Sequence, residues 1–234
     1  MTFDAIDGGT VIDANFAIAS IFGIWKQQDV NGCTGRDLVG AALSIYGSRT
    51  KMLLFNSHSK VVEELTLIKK GKRPVKWVVT IPRFEFTAKA KNFSPEGVKS
   101  CYENKGYLKV IQNYIIQGYS IRYSSSMAAD CYQMFIKNSG IYTSIETITY
   151  GGKLKLIYEL IPIAFLIEKA GGIASDGVCN ILDIIIEGYL QTSQFIAGSK
   201  DEVEFVIKTL KNEGEDLKNL DELADELLKQ MVDN

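Results

Sequence analysis

The chain has 234 residues, 46% hydrophobic and 23% charged, which fits one large or two small globular domains and excludes a disordered, collagen-like or coiled-coil chain. A net charge of −2 leaves no whole-molecule field to recruit nucleic acid or an anionic membrane. Four cysteines without a Cys-x-x-Cys pair and a single histidine, His58, exclude a zinc knot, a dense disulfide framework and multi-histidine metal sites, and point to reduced thiols.

Met1-Thr2-Phe3-Asp4 has no basic region leading into an apolar one, and the longest uncharged apolar run, 160–167, is too short to span a bilayer. The default expectation is a soluble cytoplasmic chain, or an organellar one if a targeting segment precedes it. Residues 15–25 are almost continuously apolar, with β-branched and aromatic side chains, the pattern of a buried strand. Apolar residues then recur at Leu38, Ala41, Ala42 and Ile45 with Gly47 behind them, which predicts an amphipathic helix over 37–46. Residues 52–55, 61–68 and 75–80 read as strands, the last two joined as a hairpin through the basic tip 69–74, and 84–88 continue the alternation. That tip either meets phosphates or is simply solvated.

Beyond Pro95, helical spacing over 107–119, 127–136, 158–170 and 202–210 alternates with β-prone stretches at 119–123, 140–143 and 193–197. A meander followed by alternating helices and strands predicts a layered α/β fold with helices packed on mixed sheets. The last stretch, 213–234, carries a net charge of −6 and sets Leu217, Leu220, Leu223, Leu227 and Met231 on one helical face. This acidic amphipathic tail would dock on its own body, on another subunit or on a dedicated partner.

The chemistry-bearing stretch lies at the start. Asp4 and Asp7 stand three apart around a tight turn, hard oxygen donors with no histidine or thiolate beside them, a set suited to Mg²⁺ or Mn²⁺. Gly8-Gly9-Thr10 adds small residues whose backbone N–H groups can approach a phosphate. Metal-holding carboxylates beside a phosphate cradle suit phosphate ester hydrolysis. The same Asp-x-x-Asp-Gly pattern also occurs in ordinary turns and calcium loops.

Asp4-Ala5-Ile6-Asp7-Gly8-Gly9-Thr10, followed by Asn15-Phe16 and Ser20-Ile21-Phe22-Gly23-Ile24-Trp25, resembles the metal motif of the fructose-1,6-bisphosphatase family, most of all its sedoheptulose-1,7-bisphosphatase branch. Further blocks fall in that family's order: Tyr46-Gly47-Ser48-Arg49-Thr50, Arg122 to Asp130, Gly152 to Glu159, and Phe165 to Gly172 with Ser175-Asp176-Gly177. The resemblance spans about residues 3–212 and implies the layered αβαβα sugar-phosphatase fold. Residues 1–92 would be part of a metal- and phosphate-binding half, 93–212 a half completing the sugar pocket, and 213–234 a tail outside it.

By the same resemblance, Asp4, Asp7, Glu159 and the carbonyl of Ile6 would hold Mg²⁺, with Mn²⁺ as a substitute, and Asp7, Gly8, Gly9 and Thr10 would meet the scissile 1-phosphate. Lys153 would contact the sugar phosphate, and Tyr123, Ser126 and Met127 would line the sugar pocket. Arg122 would reach a neighbouring subunit's site in a dimer or tetramer. The implied reaction is hydrolysis of the 1-phosphate of sedoheptulose-1,7-bisphosphate by metal-activated water, or of fructose-1,6-bisphosphate. Taken singly, Glu159 reads as a helix-start carboxylate, Tyr123 as a strand tyrosine, Lys153 as a solvated lysine and Ser126 as an N-cap.

The chain departs from the family at several points. The family's domain begins before this motif, with a helical segment, an acidic loop that helps activate water, and further metal-ligating glutamates. A chain that starts at the motif is expected to lack a water-activating residue, to leave core exposed and to show little or no turnover by itself. Ala5 stands at the family's proline, Gly9-Thr10 at its serine pair, Gly97 at an asparagine near the sugar, and Lys99 where the sedoheptulose branch has arginine. From another class, the alternative is a catalytically inactive paralogue acting as an interaction protein.

Overall fold

Period-two alternation through the first third builds an antiparallel meander of six strands. A computed structural model describes residues 1–69, 71 and 74–211, so the expected tail helix and half of the basic tip lie outside the described residues. The strands are β1 (Thr2–Asp7), β2 (Ile18–Trp25), β3 (Leu38–Tyr46), β4 (Thr50–Asn56), β5 (Val61–Ile68) and β6 (Lys76–Ile81), each hydrogen-bonded to the next in chain order.

The remainder forms a mixed sheet with helices on both faces. Its elements are β7 (Asn92–Glu96), α1 (Lys105–Ile116), β8 (Ser120–Ile121), α2 (Met127–Lys137), β9 (Ile141–Ser144), α3 (Ile161–Lys169), β10 (Ile173–Ser175), β11 (Phe195–Gly198) and α4 (Lys200–Lys211). The strand order is β10-β11-β9-β7-β8, with β7 parallel to β8 and β9. Helices α2 and α3 lie between the two sheets. Their Met134, Phe135 and Leu166 share one core with Ile21, Leu43 and Leu53 of the meander and Tyr142 and Phe195 of the mixed sheet. The opposite face of the mixed sheet is closed by α1 and α4 through Phe93, Tyr107, Val110, Ile141, Val203 and Val206. The α/β layering expected from the sequence is therefore present. Seven of the nine residues of α3 are buried, as a helix enclosed by two sheets requires, and each large apolar side chain so enclosed contributes about 1.5–3 kcal/mol.

Two elements differ from their sequence patterns. The helix expected over 37–46 is strand β3: Ala41, Leu43 and Ile45 alternate onto the helix-facing side, opposite Gly23, Ile21 and Ala19 of β2. Small Gly40, Ala41 and Ala42 imitate helical spacing, but neighbours on both edges supply the ladder, and such tertiary pairing overrides local pattern. Residues 84–88 alternate as expected yet join no sheet, because their backbone is bonded elsewhere. Phe84 N donates to Val62 O, and Phe86 N to Ala170 O. Both rings instead meet Phe135 edge-on, at 5.6 and 5.2 Å between centroids.

The face of the meander turned away from α2 and α3 is apolar and open. Phe3, Ile24, Trp77 and Val79 are 41–56% exposed there, with Phe22, Leu54, Leu65 and Leu67 half-buried between them.

Candidate metal and phosphate site

The site forms where β1 ends against the amino terminus of α2. Asp7, the last residue of β1, is buried, and its Oδ2 accepts from Ser126 Oγ at 2.5 Å and from Ala128 N at 3.0 Å. Ser126 also caps α2, its Oγ accepting from Ala129 N. One serine thus satisfies the first helical turn and fixes the Asp7 carboxylate, where the helix dipole favours negative charge. Burial nevertheless raises the Asp7 pKa against these bonds. Asp4 turns back so that its Oδ1 accepts from Ile6 N at 3.0 Å.

Glu159 comes from the opposite side, within a π-helical turn at Leu156–Leu160 that leads into α3. π-turns are rare and frequently mark functional positions, because the extra residue re-aims a side chain. Glu159 Oε2 accepts from Lys155 N. Burial, and then the charges of Asp4 and Asp7, push its pKa up to about 7. Oxygens of Asp4, Asp7 and Glu159 all lie within 4.8 Å of one another. Three carboxylates this close repel unless protonated or bridged by a cation, and an all-oxygen donor set fits a hard divalent ion.

Gly8 and Gly9 follow directly. Gly8 has φ +82°, and a Cβ there would sit 2.8 Å from Ser126 Cβ, so glycine is required for β1 to approach α2. Gly9 and Thr10 are exposed beside Asp7, in a short 3₁₀ turn over Gly9–Val11. Ile6 is exposed, between the two aspartates.

On the mixed-sheet side opens a cavity of about 600 Å³ whose walls include Glu96, Lys99, Tyr123, Glu146 and Lys153. Its Glu96 accepts from Tyr142 OH, and the Glu96 charge contributes to raising Asp7, which ties the cavity to the carboxylate cluster. Tyr123 and Lys153 both belong to these walls. Ser126 and Met127 do not belong to these walls: Ser126 is buried on Asp7 and Met127 is in the core. Arg122 is exposed, with Nη1 donating to Ile121 O at 3.2 Å.

Sequence reasoning missed three acidic residues of this region. Asp130, which accepts from Ser124 N and is raised by burial to about 6, lies one helical turn on from Ser126 in α2. Glu96 and Glu146 had no motif to announce them. A serine run before an apolar helix announces an N-cap, but the bond from Ser126 to Asp7 joins residues 119 apart and leaves no local trace.

A two-sheet α/β body with a convergent carboxylate cluster, a glycine turn and an adjoining cavity is the arrangement of a class of fold able to hold a hard metal ion beside a phosphate. Residues 1–73 match the fructose-1-6-bisphosphatase N-terminal domain and 86–211 the C-terminal domain of the same enzyme, and the chain belongs to the fructose-1,6-bisphosphatase family. It is 37% identical over 210 residues to the chloroplastic sedoheptulose-1,7-bisphosphatase of Spinacia oleracea, covering 90% of this chain and 53% of that protein. It is 32% identical over 206 residues to the class 1 fructose-1,6-bisphosphatase of Trichlorobacter lovleyi, covering 87% and 62%. The Leishmania major fructose-1,6-bisphosphatase in holo form superposes with a TM-score of 0.78 at 27% identity, over 89% of this chain and 68% of that one. The chain spans about half the length of the spinach relative. Among the described residues no helix is long and apolar enough to cross a membrane.

Proposed function

We propose that the chain carries the site of a Mg²⁺-dependent sugar bisphosphatase that removes the 1-phosphate of sedoheptulose-1,7-bisphosphate, with fructose-1,6-bisphosphate as the second substrate to test. The observation that carries this reading is the convergence of Asp4, Asp7 and Glu159 within 4.8 Å, beside a cavity walled by Lys99 and Lys153. A bound divalent cation would polarise the phosphoryl oxygens and lower the pKa of a nucleophilic water. Asp4, Asp7 and Glu159 would hold that ion, with the Ile6 carbonyl as a further donor. Gly8 holds β1 close to α2, and exposed Gly9 and Thr10 beside Asp7 would meet the phosphate. Lys153 and Lys99 offer positive charge to phosphate oxygens, Tyr123 offers a ring and a hydroxyl to the sugar, and Arg122 is free to serve a second copy in a homo-oligomer.

The relatives named for the two substrates are similar enough to this chain that the ratio of rates, not the likeness, identifies the substrate. The test is phosphate release from both bisphosphates, with and without Mg²⁺, by these 234 residues and by the gene product at its full natural length. Mg²⁺-dependent release that Asp7→Asn abolishes is expected of the full-length product. Release that is indifferent to Mg²⁺ or to Asp7→Asn contradicts the reading. Tight binding of sugar phosphate without release favours the inactive paralogue.

A further inference from the structure

The cavity beside the carboxylate cluster holds a carboxylate oxygen, Oε1 of Glu146, that no hydrogen bond of normal geometry satisfies, although the Gly152 N–H stands close by. Glu146 follows β9 in the loop that returns toward Lys153, and its Oε1 is buried without a hydrogen-bond partner. The carboxylate lies against Gly152, where a Cβ would stand 1.7 Å from Oε1, so it occupies its place only because residue 152 is glycine. Neither lysine of the cavity forms an ion pair with it among the described residues. Glu96 is different, since its Oε2 is engaged by Tyr142 OH. A buried acceptor left without a donor is costly, and a ligand that brings the donor recovers that cost on binding. Burial also pushes the Glu146 pKa upward, against the pull of the nearby Gly152 N–H.

The chemistry at this point selects against a phosphate oxygen, which is anionic and has no proton to give, and for a hydroxyl. We infer that Glu146 is a specificity-determining residue of this cavity, its Oε1 accepting a hydrogen bond from a hydroxyl of the bound sugar phosphate while Lys99 and Lys153 are left for the phosphate. This rests on the sugar-phosphate reading above and adds to it the residue that reads the carbon chain.

The test is calorimetric titration of the chain, in Mg²⁺, with fructose 6-phosphate and separately with inorganic phosphate. Glu146→Leu is expected to weaken fructose 6-phosphate about tenfold and leave inorganic phosphate within about twofold, whereas Glu146→Gln, which keeps a carbonyl acceptor, stays within about threefold of the native chain. Gly152→Ala, which displaces the carboxylate without altering it, is expected to behave as Glu146→Leu does, so the outcome does not depend on one variant folding. Fructose 6-phosphate binding unchanged in Glu146→Leu and Gly152→Ala, in a chain that still prefers it to phosphate, overturns the inference and leaves the sugar-phosphate reading standing. Equal weakening of both ligands reveals a merely structural role and also overturns it. A native chain that does not distinguish the two ligands overturns both.

Discussion

Replacing Glu159 by Gln removes one proton-binding group from the carboxylate cluster while keeping an oxygen to accept from Lys155 N. The ordinary glutamate pKa of 4.5 is pushed up to about 7 in the folded chain, first by burial and then by Asp4 and Asp7. Between those values the folded state holds a proton that the unfolded state has released, so stability of the metal-free chain falls as pH rises through this window and levels off above about 7. At about 1.4 kcal/mol per pH unit, the span amounts to about 3 kcal/mol, or about 6–12 °C in melting temperature for a chain of this size. Asp7 and Asp130 are raised in the same direction and remain in the variant, and Asp4 and Asp7 share the field of Glu159, so the difference between the two melting curves reports the proton held by the cluster through Glu159. Thermal melts at pH 5 to 8 in chelator should show Glu159→Gln gaining on the native chain as pH rises. With Mg²⁺ present, the native chain should recover stability above pH 7, because the cation binds the deprotonated carboxylates. Parallel native and variant curves in chelator would refute this assignment of the cluster's electrostatics.

Asp7→Ala leaves Ser126 Oγ and Ala128 N without their acceptor and should lower stability by about 1–3 kcal/mol in denaturant titrations. Gly8→Ala forces a Cβ into the left-handed region and onto Ser126, and a loss of about 1–3 kcal/mol is expected by the same titration. Buried Glu64 is pushed up by burial, but bonds from Lys51 at 2.7 Å, Thr80 and Tyr132 outweigh this and hold its carboxyl below the ordinary value. Lys51→Met should therefore cost about 3 kcal/mol at neutral pH, with the loss shrinking as pH falls through the glutamate range and Glu64 takes up a proton.

The fold was legible where one period dominated. Strand β2 and helices α1, α2 and α4 declared themselves through alternation or helical spacing, and the hairpin of β5 and β6 through its turn. Strand β3 was misread because Ala41 and Ala42 satisfy helical spacing as well as they satisfy a sheet face, and only the ladders to β2 and β4 decide between them. At the site, Asp4 and Asp7 were visible because they are close in sequence, and Glu159 only through resemblance, since the π-turn that aims it has no single-residue signature. Met127 stands at the start of α2. Its neighbours in sequence cap a helix at Asp7, but its own side chain turns into the core.

Calorimetric titration with Mg²⁺ in the presence of inorganic phosphate at pH 8, on the native chain beside Asp7→Asn and Glu159→Gln, most directly tests whether Asp4, Asp7 and Glu159 form a cation site for phosphate chemistry. Saturable binding to the native chain, lost in both variants, is the result expected. The same heats from all three proteins would contradict it.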